Sequence, residues 1–194
     1  MTADRFAQIF VEEFHARAER EGERFGSMWH AGGAPWTALM VHDLNQDSVL
    51  ACTLKRWAHS QNQDISMHHW YTIDLMAVTP PFKAVADYWD TRPLALIEHE
   101  NAKDVETEAW KLAHWRAPLK VLVFYRFNHD DAWLDDKFAT IKQIVEGAQS
   151  AHPELGSEYL LMAGCRIKNE VVWRAWTLND TWSLADYATN VSVA

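Results

Sequence analysis

Two glutamates one residue apart close an apolar run, Leu94-Ala95-Leu96-Ile97-Glu98-His99-Glu100-Asn101. In a strand alternate side chains share a face, so Leu94, Leu96, Glu98 and Glu100 point one way and Ala95, Ile97 and His99 the other. Carboxylates are costly to bury unless paired or metal-bound. A face that begins with leucines and ends with glutamates therefore asks for a compensating cation. A further acid, Asp74, falls in the middle of the β-rich run 69–78, where aspartate is disfavoured. There Tyr71, Ile73, Leu75 and Ala77 share one face, and Trp70, Thr72, Asp74, Met76 and Val78 the other. Two successive strands that deliver acid to one place suit Mg²⁺, which takes hard oxygen ligands alongside water and phosphate oxygens. Such an ion activates a water and offsets charge on a scissile phosphate.

Other chemistries find less support. His99-Glu100 opens like a zinc-protease HExxH, but Lys103 occupies the second histidine's place in a segment that reads as strand. His68 and His69 are adjacent, so in a strand they face opposite sides and cannot chelate one ion together. No GxSxG elbow is present, and the Gly-rich stretch 22–35 contains neither GxGxxG nor GxxxxGK[ST]. Lys111, His114, Arg116 and Lys120, near Trp110 and Trp115, read equally as contacts to a phosphate backbone or as a solvated helix face.

The elements that must position these groups follow from periodicity. Residues 3–21 predict a helix with Phe6, Ile9, Phe10, Phe14 and Ala18 on one arc and Thr2 as N-cap. Glu13 lies only about 20° from Phe6 around that helix. It sits at the stripe's edge, pairs with Arg17 at i+4, or is aimed at something functional. Residues 22–35 read as a connection, 36–42 as an untyped apolar segment, and 47–59 as a helix with a strand as the alternative. A strand over 69–78 ends at Pro80-Pro81, 82–91 connect, and Pro93 opens the glutamate strand. Asp104 can cap a helix to about residue 115, and Leu119-Lys120-Val121-Leu122-Val123-Phe124-Tyr125 reads as a central strand buried on both sides. A helix over 131–149, strands at 158–168 and 171–178 around Asn169-Glu170, and a terminal helix over 180–188 complete the expectation.

Composition bounds the rest. The chain of 194 residues, 48% hydrophobic and 23% charged, suits one α/β domain with a sizeable core. No apolar run approaches the roughly 20 residues of a membrane helix. The start Met1-Thr2-Ala3-Asp4-Arg5 lacks a secretory pattern, and two cysteines suit a reducing, cytoplasmic setting. A net charge of −9 counts against nucleic-acid binding, although a metal site is itself acidic.

A mid-strand Asp, then an Ile-Glu-x-Glu-Asn strand, an amphipathic helix and a buried strand resemble the PD-(D/E)XK superfamily of restriction-endonuclease-like proteins, in an E-x-E variant. The likeness covers residues 72–125, and the first helix extends it. It implies a four-stranded mixed sheet flanked by helices, with a C-terminal hairpin and helices added. One domain would then span residues 1–194, its nuclease-like core about 3–126 and its extension about 131–194. It implies Mg²⁺, with Mn²⁺ able to substitute, and hydrolysis of nucleic-acid phosphodiesters, DNA before RNA. A homodimer is one assembly open to it. By position Asp74 and Glu98 resemble the family's metal ligands. Glu100 stands where lysine is usual, as a further ligand or the group that orients the attacking water. Glu13 resembles the first-helix glutamate that some members add to the metal shell, and Lys111 a relocated lysine. The family's proline is replaced by Ile73. The alternative is an inactive relative that serves as a protein- or nucleic-acid-interaction module.

Overall fold

The computed structural model describes residues 3–42, 48–70, 72–81, 91–101, 103–126, 130–153, 157–167, 170–178 and 181–192. Helix α1, Ala3–Glu21, buries Phe6, Ile9, Phe10, Phe14 and Ala18, the arc that its periodicity predicts. The Thr2 cap lies outside the described residues. At Gly22 the backbone enters the left-handed region (φ 56°), and α2, Glu23–Ala31, begins at once. Gly32 and Gly33 (φ 57° and 56°) repeat the break before α3, Gly33–Thr37, and a π-helical turn, Ala38–His42. The expected open connection over 22–35 is therefore helical. Its glycines punctuate short helices at no Cβ cost, and buried Phe25, Trp29 and Trp36 pin those helices to the core. Helix α4, Val49–Ser60, starts where the Ser48 hydroxyl accepts from Ala51 N at 3.3 Å, which excludes the strand alternative.

The β-rich run 69–78 divides into a hairpin, β1, Ser66–Trp70, and β2, Ile73–Thr79, paired Ser66↔Val78 through Trp70↔Ile73. The reversal between Trp70 and Ile73 is invisible to turn rules because Thr72 is itself a good strand residue. Strand β3, Arg92–Glu100, runs antiparallel to β2. The chain then crosses through α5, Val105–His114, to β4, Leu119–Arg126, parallel to β3. Asp104 holds the N-cap position of α5 without a side-chain cap bond. Helix α6, Asp131–Ala151, leads to β5, Glu158–Ile167, parallel to β4. Strands β6, Glu170–Leu178, and β7, Trp182–Ser192, add antiparallel.

The result is one mixed sheet of seven strands in the order β1 to β7, where the resemblance implies four. Residues 182–192 continue this sheet, and the terminal helix expected over 180–188 does not form there. Pairing along Trp173↔Tyr187, Ala175↔Ala185 and Leu178↔Trp182 prevails over the local helical preference of Leu184 and Ala185. Helices cover both faces. On one, α1 to α4 pack against Ala95, Ile97, Val121, Val123 and Trp173. On the other, α5 and α6 pack against Leu96, Leu122, Phe124 and Leu161. Strand β4 is buried on both sides, as its unbroken apolar run predicts.

One close approach is built on glycine. Gly164 pairs across the sheet with Trp173, and a Cβ on Gly164 would stand 2.8 Å from two atoms of that indole. Phe10 and Phe14 meet the same ring edge-on at 4.7 and 5.2 Å, so it has nowhere to retreat. Gly164→Ala should cost about 1–3 kcal/mol. The readout is a lower urea midpoint with an unchanged slope.

A candidate metal-dependent acid–lysine site

Leu75↔Ile97 is the last paired position at the far end of the β2–β3 ladder. Beyond it carboxylates take over the backbone's bonds. Asp74 Oδ2 accepts from His99 N at 2.9 Å, and Glu98 Oε2 accepts from Asp74 N at 3.3 Å. Two neighbouring strands thus hold the two acids side by side. By alternation Glu98 and Glu100 lie on the face of Leu96, the side that α5 covers. Glu98 is only 1% exposed.

Helix α5 supplies the cation. Lys111 Nζ lies 2.9 Å from Glu98 Oε1, donates to the Thr72 carbonyl at 2.7 Å, and ion-pairs with Glu108 one turn back. The apolar residues Val105, Ala109, Leu112 and Ala113 face the sheet, and Lys111 reaches around the helix flank beside them. Three of the expected site residues, Asp74, Glu98 and Lys111, therefore converge. Glu108 joins them although sequence reasoning passed it over. Its signal was the Glu-x-x-Lys spacing, which places both side chains on one helix surface.

Burial pushes the Glu98 carboxyl up to about 9, against the pull of Lys111 and with the help of Asp74 and Glu108. At neutral pH Glu98 holds its proton. Burial also works against the Lys111 ammonium, but its bonds to Glu108 and Glu98 prevail and hold it above the ordinary lysine range. Glu100 is half-buried, and its Oε1 accepts from Asn101 N at 2.6 Å. Burial raises its carboxyl despite that bond, assisted by Glu108, Asp104 and Asp74.

Two of the earlier candidates stand elsewhere. Glu13 belongs to α1, on the opposite face of the sheet, where Arg56 of α4 donates to its Oε1 at 2.5 Å and to Glu12 at 2.6 Å. Arg17, the partner weighed for Glu13, pairs instead with Glu21 at 2.9 Å. A stripe-edge glutamate bridging two helices accounts for its position, and it does not reach Glu98. Lys120 is fully buried, with Nζ bonded to Tyr159 Oη at 2.9 Å and to the Ala113 carbonyl at 3.3 Å. It caps the last turn of α5 and offers nothing to a phosphate backbone. Burial lowers it to about 8.

Among the described residues, no group of three or more His, Cys, Asp or Glu side chains is drawn together as metal ligands. Asp74 and Glu100 direct oxygens at backbone N–H groups, which disperses the set. What remains in common with a hard divalent cation's shell is the donor type, carboxylate oxygen. Asp74 and Glu108 add their repulsion to the burial that raises Glu98, with Lys111 opposed, and a bound cation would relieve that smaller part. Compared with known proteins, the chain matches no family model and no curated protein.

Proposed function

We propose that the protein is a metal-dependent phosphodiesterase acting on nucleic acid, DNA before RNA, on a restriction-endonuclease-like core. The observation that carries this reading is the meeting of Asp74 and Glu98, from adjacent strands, with Lys111 from the following helix. The course of the chain from a β-meander through a crossover helix to a parallel strand supports it as well. Asp74 and Glu98 would hold Mg²⁺ or Mn²⁺, with Glu100 or Glu108 as a further oxygen donor. The ion, when bound, polarises a water and the scissile phosphate. Lys111 provides a fixed positive charge beside the ligands, suited to negative charge that develops on phosphate oxygens. Glu98 must give up its proton before it can act as a ligand, so activity should rise with pH.

A second reading, a non-catalytic interaction module on the same scaffold, is favoured by the net charge of −9. A plasmid-nicking assay with Mg²⁺ or Mn²⁺ separates the two. We expect nicking by the wild type and none by Asp74→Asn. If Mn²⁺ raises the melting temperature of the wild type, yet no DNA or RNA is cut, the module reading prevails.

A further inference from the structure

A second feature lies at the opposite end of β3 from the acids. A cleft of about 680 Å³ opens where β3 begins and α5 hands over to β4, lined by Gln63, Arg92, Leu94, Trp115, Arg116 and Pro118 among others. That volume falls in the range of small-ligand pockets. Arg92 and Arg116 are both exposed, and among the described residues neither has an ion-pair partner. On a chain of net charge −9, two uncompensated guanidiniums on one cleft stand out. The negative end of α5 would ordinarily weaken them, but the Lys120 ammonium is bonded to the Ala113 carbonyl and offsets that end. Trp115 provides a flat ring in the cleft wall. Gln63 takes a hydroxyl from Thr79 on its Oε1 at 3.4 Å, so its amide N–H groups remain to donate. Further back on α5, Trp110 is 55% exposed and lies tilted against His114, ring centres 4.5 Å apart. Cation, aromatic and amide together match a nucleotide, with charge for the phosphate and a face for the base.

We infer that this cleft anchors one nucleotide of a single-stranded nucleic acid, its phosphate on Arg92 and Arg116 and its base against Trp115. The choice of ligand rests on the phosphodiesterase reading. From Arg92 to Glu98 the strand rises about 20 Å, so a bound strand must continue for several nucleotides to reach the acids. The exposed side of α5 runs between the two places.

The test is fluorescence anisotropy of the full chain with a labelled oligothymidylate in EDTA, where nothing is cut, over a series of salt concentrations. Each neutralised phosphate contributes about 0.7 to the log–log salt slope for single strands, so Arg92→Ala/Arg116→Ala, which gives up the one phosphate, should lower that slope by about 0.7. Trp115→Ala should weaken binding by roughly tenfold or more. Trp115→Phe, which keeps a stacking face and fills most of the same space, should retain most of it. An unchanged slope in the double arginine variant overturns the inference, as does a wild type that fails to bind. Equal binding of inorganic polyphosphate, with Trp115→Ala indifferent, overturns it too and makes the cleft a general anion site. Oligonucleotide binding without any metal-dependent cleavage would sink the phosphodiesterase reading alone. Cleavage with an unchanged salt slope would sink only the cleft.

Discussion

Glu98→Gln is expected to abolish metal-dependent cleavage, by more than about a hundredfold given what even outer-shell changes cost at metal sites. It should also erase the rise in melting temperature that Mg²⁺ gives the wild type, because a ligand stabilises only the state that binds it. A third effect needs no metal and no substrate. In the folded chain the Glu98 carboxyl is pushed up to about 9 from an ordinary 4.5. Below 4.5 both folded and unfolded chains hold the proton, and Glu98 contributes no pH dependence. Between 4.5 and about 9 the unfolded chain releases the proton and the folded chain keeps it, so stability falls as pH rises. The steepest slope is about 1.4 kcal/mol per pH unit. Above about 9 both have released it and the slope vanishes. The glutamine variant keeps a neutral hydrogen-bonding group and loses this slope. Urea unfolding of both proteins across that window, in EDTA, measures it. Identical slopes would mean that Glu98 does not titrate as described. Metal must expel the same proton, so Mg²⁺ affinity should strengthen with pH, by at most about tenfold per unit.

Lys111→Met should have the next largest effect. Removing one preorganised charge-stabilising donor from a reacting centre costs about 10²–10³ in rate, and kcat should carry that loss. The effect on stability distinguishes two protonation states. If Glu98 were ionised, stripping away its lysine would strand a buried charge, at about 3–5 kcal/mol. Because Glu98 is protonated at neutral pH, the deletion removes hydrogen bonds to Glu98, Glu108 and the Thr72 carbonyl and leaves a neutral acid behind. About 1–3 kcal/mol is then expected at pH 7. Without Lys111 the Glu98 carboxyl also loses the interaction that lowers it, so residual activity should need still higher pH. Denaturation at neutral pH and the pH profile of kcat check the two halves separately.

Much of this site could be read from the chain because strands announce their faces. Period-two alternation placed Glu98 and Glu100 together, and an aspartate in a β-rich run marked Asp74 as out of place. Two clues fell short. Lys111 falls outside the apolar arc of α5, which argued for solvent, yet a four-carbon stem carries its ammonium around the helix flank to Glu98. Glu13 falls inside the arc of α1, which left a stripe edge, a pair with Arg17 and a functional role all open, and Arg56 of a neighbouring helix accounts for it. Phase around a helix tells where a side chain starts, and partners from distant sequence decide where it ends. The same limit explains the fold-level differences. Helix periodicity and the buried run of β4 were plain locally. The reversal between Trp70 and Ile73, the helices around Gly22 and Gly32, and the strand at Trp182–Ser192 depend on neighbours that no local window contains.

The strictly sequential order of the sheet bears on how the chain acquires its shape during synthesis. Each strand docks on the one made just before it, so contact order within the sheet is low and pairing can advance with translation. Strands β2 and β3 and helix α5, with Asp74, Glu98 and Lys111, can be assembled before β5 is made. The opening helix has no such luck. Phe10 and Phe14 of α1 close on Trp173 of β6, and Ala3 N donates to Glu158 of β5, so α1 must wait for strands made long after it to find its seat.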